Sequence, residues 1–217
     1  MEISIMHFQS KEWRKSFFTM LISVIVMGFA LSLLVLTHWG TDPFSCMNYG
    51  VSRLLGLSFG TYQLILNIIL LVLIVLFYRS VIGWGTLGNM VLVGYTADFF
   101  AYIWHHIFHI SDNLPVFLCI VLLIPGLILF VISAACYMNS GQGMSPYDAI
   151  PFIIDGTIMK VTKSEKSHFK IIRYTQDILC TTIGFLTGGE VGAVTVLMVL
   201  LLAPTVQYVG QLFEHKQ

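Results

Sequence analysis

Long apolar runs constrain this chain more than any other feature of its sequence. The run FFTMLISVIVMGFALSLLVL, which ends near residue 36, is as long as the roughly twenty residues that a helix needs to cross a bilayer. The segment IILLVLIVLF further along is equally free of charge. Because lipid offers no hydrogen-bond partners to the backbone, spans of this apolarity have to be helices. The sequence therefore predicts an integral membrane protein.

The composition supports this prediction and excludes several other classes of protein. Hydrophobic residues make up 57% of the chain and charged residues only 10%, which is too few for the surface of a soluble domain of 217 residues. Eleven basic and eleven acidic residues cancel, so no nucleic-acid or polybasic lipid partner is indicated. The four cysteines are scattered without C-x-x-C spacing, which predicts neither a zinc site nor a disulfide framework. No cofactor-binding motif is visible, so no cofactor is expected.

The apolar pattern predicts six membrane spans in a single membrane domain, residues 1–217. The spans are 16–38, 59–78, 83–104, 114–137, 169–187 and 191–212. Residues 44–56 and 147–159 are also mostly apolar, but each offers only about three helical turns and is too short to cross a bilayer. The first span is too long for a signal-peptide core and is expected to be retained.

Basic residues in the short loops predict the orientation of the spans. They precede span one, follow span two, crowd the connection between spans four and five and end the chain: Lys11, Arg14, Lys15, Arg79, Lys160, Lys163, Lys166, Lys170, Arg173 and Lys216. The alternate loops carry only Arg53, alongside Asp42, Asp112 and Glu190. Both termini are therefore predicted to face the cytoplasm.

Residues 16–104 and 114–212 carry related signals in the same order, which predicts an internal repeat. A span is followed by Gly40-Thr-Asp-Pro-Phe-Ser45 in the first half and by Gly143-Met-Ser-Pro-Tyr-Asp148 in the second. The next span carries Gln63 and Asn67 in one half and Arg173 and Asp177 in the other, and the last span pairs Asp98 with Gln207. Because each unit holds three spans, the second copy must enter the membrane with opposite polarity. Inverted repeats of this kind are common in transporters, where the solute site lies near the midplane between the repeats.

These motifs together resemble the YczE/YyaS/YitT family of bacterial membrane proteins. The first half matches in Gly-x-x-Pro-aromatic, Gly60-Thr-Tyr-Gln63, Asn67, GWGT and GYTADFF, and the second in GMSPYDA, Arg173-x-x-x-Asp177, LTGGEVGAVT and LAPTVQ. The resemblance covers residues 16–212. It implies a protein of the bacterial cytoplasmic membrane with about six helices, described as uncharacterised or transporter-like, and it brings no established substrate or active site.

The segments after spans one and four predict two short capped helices. Asp42 and Ser145 stand directly before Pro43 and Pro146, and Asp or Ser at the N-cap followed by Pro at the first position is a favoured helix start. The N-terminus of such a half-helix suits an anion, although the capping side chain competes for its N–H groups. The two helices either lie on the membrane surface or are tucked into the membrane beside a cavity. Their motif residues are Gly40, Asp42, Pro43, Ser45, Gly143, Ser145, Pro146 and Asp148.

Charged and amide side chains within the predicted spans are the candidates for a solute site, because a charge inside a bilayer is costly and is normally buried against partners or water. Arg173 and Asp177 are spaced to pair on one helical face, either at the headgroups or along a cavity. The candidate residues are Gln63, Asn67, Asp98, Arg173, Asp177 and Gln207. The amides alternatively join neighbouring helices. A shielded Asp98 or Asp177 could hold a proton, which makes proton coupling a hypothesis.

His105, His106 and His109 form the pattern H-H-x-x-H at the predicted outer end of span three. Histidines at this spacing can bind a transition metal, but a site also needs a further ligand, and only Asp112 is near. Together with Trp104, the pattern is more typical of an interfacial aromatic and imidazole belt, so no metal site is expected.

The sequence therefore favours transport of a small polar solute or ion through an all-α bundle of two inverted three-helix repeats, each with a half-helix after its first span. A passive channel would need a continuous polar stripe, whereas the polar residues here form a few layers. A membrane accessory protein, or a substrate-binding subunit of a larger complex, is the other alternative, and a homo-oligomer or a membrane partner is compatible with it. No catalytic set is visible, so an enzyme is not expected.

Overall fold

The protein is an all-helical bundle in the computed structural model, which describes residues 11–77, 82–111, 114–163 and 166–214. The α-helices are α1 (Lys11–Thr37), α2 (Pro43–Leu55), α3 (Phe59–Phe77), α4 (Trp84–Gly88), α5 (Gly94–Tyr102), α6 (Val116–Met138), α7 (Pro146–Thr162), α8 (Phe169–Leu186) and α9 (Ala193–Glu214). There are also two π-helical segments. The first, Asn89–Val93, joins α4 to α5, and the second, Ile103–Ile107, directly follows α5. Arg79, Asp112 and Lys216, which entered the orientation prediction, lie outside the described residues.

Helices lie over all six segments that the sequence predicts as spans. Among the described residues, three of them are long and apolar enough to cross a membrane: Lys11–Thr37, Phe59–Leu76 and Val116–Met138. Ala193–Val206 is a shorter apolar segment. Helix α8 is 18 residues long but carries Lys170, Arg173 and Asp177, which lower its hydropathy. The six-span topology and the division into repeats remain predictions.

The outer surface of the bundle is apolar. Ile69, Leu76, Phe117 and Leu186 are between 54% and 76% exposed, on three different helices. A soluble protein rarely exposes large contiguous apolar patches, whereas lipid-facing helices do so by necessity. The surface therefore agrees with a membrane location. The core is formed chiefly where α1 packs along α6, around Leu31, Leu34 and Phe130.

The two predicted half-helices are present, and both are capped as the sequence predicts. The Asp42 carboxylate accepts a hydrogen bond from the Ser45 N–H at 3.1 Å, and the Ser145 hydroxyl accepts one from the Asp148 N–H at 3.1 Å. A proline follows each cap as the first helical residue. Helix α7 extends to Thr162, beyond the predicted 147–159, so it takes up the beginning of the predicted loop 160–168. The residues Ile158 to Val161 have ordinary helix propensity, and nothing in them stops the helix earlier.

The half-helices begin inside the bundle and run in opposite directions along it. Phe44 at the start of α2 stacks on Tyr147 at the start of α7, with ring centroids 4.2 Å apart. From there α2 runs beside the second half of α8, where Gly184 contacts Cys46 and Glu190 binds Arg53. Helix α7 packs against α3 and α8 and ends near the start of α8. Both N-termini are therefore buried within the bundle, and the position of the half-helices relative to the membrane stays a prediction.

The loops that lead into the half-helices make the same contact twice. Gly40 packs against Gly192 and Thr195 at the start of α9, and Gly143 packs against Gly83 and Thr86 at the start of α4. The Trp39 carbonyl accepts the Val194 N–H at 3.1 Å, and the Gln142 carbonyl accepts the Gly85 N–H at 2.6 Å. Each loop therefore contacts the other half of the chain.

Gly40 and Gly143 have φ angles of +106° and +91°, in the left-handed region that favours glycine. A Cβ at Gly40 would lie 2.5 Å from the Thr195 hydroxyl, and a Cβ at Gly143 would lie 2.6 Å from the Gly83 nitrogen. Both the backbone conformation and the close approach therefore require glycine at these two positions.

Candidate functional site

A buried ionic cluster around Arg173 is the most concentrated polar feature among the described residues. The Arg173 Nη1 lies 2.9 Å from Asp148 Oδ1, and its Nε lies 3.3 Å from Asp177 Oδ2. The three side chains are between 6% and 15% exposed. The predicted i,i+4 pair is therefore present and buried, and it includes a residue of the second half-helix motif. A buried charge of this kind persists only when it is paired and hydrogen-bonded.

Tyr147 joins this ionic cluster to the half-helices. Its hydroxyl donates to Asp177 Oδ1 at 2.6 Å, and the Arg173 guanidinium lies 5.0 Å from the centre of its ring. Phe44 of α2 is the other member of the aromatic pair. The stacked rings join α2 to α7, and the Tyr147 hydroxyl joins both to Asp177 on α8. The Ser145 hydroxyl also donates to Asp148 Oδ2 at 2.7 Å. Both carboxylate oxygens of Asp148 therefore have partners within the cluster.

A small cavity of about 50 Å³, here called the central cavity, lies between the two half-helix N-termini. Polar residues from six parts of the chain line it: Asp42, Ser45, Gln63, Asn89, Tyr137, Ser145, Asp148 and Arg173. The structure thus brings Gln63 of one predicted repeat to Arg173 of the other. It also brings together the two helix caps, which are about a hundred residues apart in sequence.

Several polar atoms at the central cavity have no hydrogen-bond partner within the part of the chain that is described. They are Asp42 Oδ1, Gln63 Oε1 and the Tyr137 hydroxyl. The three residues are 8%, 3% and 1% exposed, respectively. More than nine in ten buried polar groups in proteins have a partner, and leaving one without a partner costs about 1–3 kcal/mol. Three such groups at one cavity therefore indicate a site for a polar occupant.

A larger cavity of about 350 Å³, here called the side cavity, opens between α7, α8 and α9. Its polar residues are Asp155, Ser167, Arg173 and Asp177, and its apolar residues include Phe152, Phe169 and Val199. This volume is within the range of small-molecule sites. Arg173, Met138 and Leu202 line both cavities, so the two are neighbours.

At the start of α3, α3 and α5 are in close contact. A Cβ at Gly94 would lie 2.6 Å from the Gly60 Cα, and the Gly60 N–H donates to Asp98 Oδ2 at 2.9 Å. The structure therefore places Asp98 at the N-terminus of α3, where it accepts from the backbone, and not at the central or the side cavity. Carboxylates favour helix N-termini because of the helix dipole, which gives Asp98 a structural role.

The remaining predicted site residues have different positions. Asn67 is fully buried, and neither of its amide atoms has a partner among the described residues, but it does not line either cavity. The side chain of Gln207 lies outside the described part of the structure. Of the six predicted candidates, Gln63, Arg173 and Asp177 therefore line the cavities.

The caps use part of the hydrogen-bonding capacity of the half-helix N-termini. Pro43 and Pro146 have no N–H, and the Ser45 and Asp148 N–H groups donate to the capping side chains. The predicted affinity for an anion is therefore weakened, because few free donors remain in the first turn.

Asn89 and Tyr137 contribute to the central cavity although the sequence reasoning did not select them. Asn89 lies in the first π-helical segment, and π segments occur often at functional sites. Tyr137 ends an apolar span and resembles an interfacial aromatic residue in the sequence. Asn48 on α2 was also missed; it is fully buried, and no described group binds its amide. Only their position in the fold distinguishes these residues from helix-packing ones.

Asp155 ties the end of α7 to the start of α8. It accepts hydrogen bonds from the Ser167 hydroxyl at 2.7 Å and from the His168 N–H at 2.6 Å. These two donors lower the pKa of the Asp155 carboxyl below its ordinary value of 3.8, because they favour the charged form. The sequence did not indicate this contact, since the partners follow a charged loop.

The histidine pattern makes local contacts at the end of the second π segment. His105 Nδ1 lies 3.3 Å from the Ile110 carbonyl, and His106 stacks on Tyr102 with ring centroids 4.3 Å apart. Trp104 donates from Nε1 to the Ser32 hydroxyl at 3.0 Å. No group of three or more His, Cys, Asp or Glu residues is placed to hold a metal ion in the described ranges.

Curated relatives of this chain are described as uncharacterised. It is 24% identical over 179 residues to the uncharacterized membrane protein YczE of Bacillus subtilis, covering 82% of this chain and 77% of that protein. It is 23% identical over 133 residues to the uncharacterized protein YyaS of the same organism, covering 61% of this chain and 65% of that protein. An uncharacterized protein of Haemophilus influenzae is 22% identical over 195 residues, covering 89% and 83% of the two chains.

No solved structure matches this chain. The relatives confirm the resemblance that the motifs indicated, and the description of YczE as a membrane protein agrees with the apolar helices found here. The match to a family of unknown function, DUF6198, extends from residue 14 to residue 211 and so includes every residue that lines the two cavities. The chain belongs to this DUF6198 family.

Proposed function

We propose that the protein transports a small polar solute across the bacterial cytoplasmic membrane, with Arg173 and Asp177 contacting the solute in the side cavity. The observation that carries the proposal is the buried cluster of Arg173, Asp148 and Asp177 between two cavities. A charged cluster is costly inside an apolar bundle, and such residues within membrane proteins normally mark solute or ion pathways.

The shape of the two cavities supports a discrete site with access from one side. The side cavity is open between α7, α8 and α9, whereas α3 and α5 are closed by the contact between Gly60 and Gly94. Transporters alternate between two such arrangements around a central site. The apolar residues of the side cavity favour a solute with an apolar body and a polar or charged end.

The proposal includes six spans in two inverted repeats, with both termini in the cytoplasm. Support comes from the paired half-helices, which start next to each other, and from the contacts that Gly40 and Gly143 make with the opposite half. In inverted repeats, discontinuous helices meet at the midplane in this manner. With this orientation, the basic residues around 160–170 place the side cavity toward the cytoplasm.

Solute binding can be measured on the purified protein without knowing the direction of transport. A panel of amino acids, carboxylates, amines and small biocides is screened for a rise in the midpoint of thermal unfolding, since a ligand that binds only the folded state stabilises it. We expect at least one solute to raise the midpoint in a saturable way. The same solute should accumulate in proteoliposomes that contain the protein and not in empty liposomes.

Asp177→Asn tests the position of the site, and Glu190→Gln is the matched control. Glu190 also accepts from an arginine, Arg53 at 2.8 Å, but at the other end of α8. Asp177→Asn should weaken or abolish the stabilisation by the solute, and Glu190→Gln should leave it unchanged. Equal behaviour of the two variants contradicts the site. A panel without any hit, together with no uptake, contradicts transport and favours the accessory role in the membrane.

A further inference from the structure

We propose that the central cavity is a binding site for a monovalent cation, separate from the solute in the side cavity. The inference deepens the proposed transport function. The role of the cation in transport rests on that proposed function, whereas the binding of the cation does not. The first observation is the set of unpartnered acceptors: among the described residues, nothing binds Asp42 Oδ1 or Gln63 Oε1. Both side chains are more than nine-tenths buried and line the same cavity.

The chemistry of these groups favours a hard cation. A carboxylate oxygen, an amide oxygen and the Tyr137 hydroxyl are all oxygen ligands, and hard cations prefer such ligands. Asn89 and Ser45 add further oxygen atoms to the lining. Histidine and cysteine, the usual transition-metal ligands, are not part of the lining that the structure describes, and its only sulfur atoms are the thioethers of Met27 and Met138.

The charge of the surroundings also favours a cation. Asp42, Asp148 and Asp177 contribute three carboxylates near the half-helix starts, whereas Arg173 contributes the one guanidinium bound to them in the described structure. Arg173 is engaged by Asp148 and Asp177, which leaves the charge of Asp42 without a counter-charge. A cation at the central cavity would supply it, and an uncompensated buried carboxylate would otherwise be costly.

The size and the number of free carboxylates favour a monovalent ion over a divalent one. The cavity of about 50 Å³ has room for an alkali cation and roughly one or two waters, since a water needs on the order of 10–15 Å³. Calcium sites draw six to eight oxygen ligands, typically with several carboxylates. Here both oxygens of Asp148 are already bound to Arg173 and Ser145, so Asp42 alone offers a free carboxylate oxygen at the cavity.

The position of Arg173 connects this cation to the solute. The guanidinium lines both cavities and binds Asp148 on the central side and Asp177 on the side of the solute. A cation that attracts Asp148 or Asp42 changes the field at Arg173, and thereby the affinity for a solute that contacts Arg173. Such coupling is reciprocal by linkage.

The experiment measures thermal unfolding of the purified protein in chloride salts of Li⁺, Na⁺, K⁺ and choline, at mildly alkaline pH and constant ionic strength, without any solute. We expect one of the alkali cations to raise the unfolding midpoint in a saturable way relative to choline. Asp42→Asn should abolish this response, and it keeps the cap of α2 because Asn is as good an N-cap as Asp.

Tyr137→Phe removes a single hydroxyl and should raise the half-saturating cation concentration by about tenfold. It also provides a second test if Asp42→Asn does not fold. Glu190→Gln, at the far end of α8, should respond like the wild type. Equal unfolding midpoints in all four salts overturn the inference. A cation response that Asp42→Asn and Tyr137→Phe both leave unchanged overturns it as well. The inference also fails if, in the same salts at a second pH, the midpoint changes with pH and not with the cation. Because no transport is measured, these results are independent of solute uptake, and uptake without any cation effect would refute only this inference.

Discussion

Arg173 is the central residue of the candidate site, because it contacts both carboxylates of the buried ionic cluster. Its guanidinium is buried between two carboxylates from different helices and lies over the ring of Tyr147. Removal of one partner of a buried ion pair leaves an uncompensated charge, whereas an exposed pair contributes little. Arg53 and Glu190 form a pair that is exposed on the arginine side, since the Arg53 side chain is 52% exposed, and Glu190, which is 12% exposed, also lies 3.0 Å from His38. A buried ion-pair cluster therefore lies near the start of α8, and a more exposed ion pair lies just beyond its end.

Arg173→Ala should lower the free energy of unfolding by about 3–5 kcal/mol, because Asp148 and Asp177 then lack their cation. Arg53→Ala should lower it by about 0–1 kcal/mol. Unfolding in mixed micelles with increasing denaturing detergent measures both values. The triple variant Arg173→Met, Asp148→Asn and Asp177→Asn should regain most of the loss, since it removes the uncompensated charges. Equal losses for Arg173→Ala and Arg53→Ala would show that the buried cluster is solvated.

At the scale of elements, the loops before the half-helices determine where α2 and α7 begin. Gly143→Ala should destabilise the protein by more than Gly141→Ala. Both glycines have positive φ angles, +91° and +71°, and each substitution carries the left-handed penalty of about 1–2 kcal/mol. Only at Gly143 does the new Cβ meet another helix, 2.6 Å from the Gly83 nitrogen, whereas no atom lies within 4 Å at Gly141.

The difference between the two glycine variants isolates the contact between the halves of the chain. We expect about 1–3 kcal/mol more loss for Gly143→Ala, which is the usual cost of overpacking. Thermal unfolding of both variants in the same detergent measures the difference. If the two losses are the same, Gly143 is required only for its backbone conformation and the loop does not bind α4 tightly.

The link between α7 and α8 predicts a pH dependence. The pKa of Asp155 is lower in the folded state than its ordinary value of 3.8, so the folded state is stabilised while the carboxyl is ionised. The stabilisation is complete above the unfolded pKa and is lost as the pH falls through the folded pKa. The difference in unfolding midpoint between the wild type and Asp155→Asn should therefore be largest near neutral pH. It should shrink below about pH 4, and a difference that grows on acidification contradicts the assignment.

At the scale of the whole molecule, the proposed topology predicts on which side of the membrane each loop can be labelled. In a variant without the four native cysteines, Thr162→Cys should react with a membrane-impermeant maleimide only when the cytoplasmic side is accessible. Leu57→Cys should react from the outer side of intact cells. Thr162 and Leu57 are both exposed and lie in different halves of the chain. Labelling of both from one side contradicts six spans with cytoplasmic termini.

Local signals were sufficient to predict much of the fold. Apolar runs such as IILLVLIVLF predict helices because lipid leaves no alternative for the backbone. Asp42-Pro43 and Ser145-Pro146 predict the helix starts because capping and the fixed φ of proline act within one turn. The pairing of Arg173 with Asp177 follows from a spacing of four residues on one helix. Each of these predictions depends on interactions between near neighbours in sequence.

The contacts among the polar residues depend on the tertiary fold and could not be predicted from local patterns. Asp98 and Gln63 are equally conspicuous in the sequence, yet Gln63 lines the central cavity and Asp98 binds the backbone of Gly60. Tyr137 and Asn89 have no local signal that separates them from packing residues, because burial without a partner is a property of the folded surroundings. Near-neighbour patterns were enough to predict most of the helices and the caps of both half-helices. The meeting of Phe44 with Tyr147, which places two caps at one cavity, depends on contacts between residues about a hundred positions apart, which no local pattern encodes.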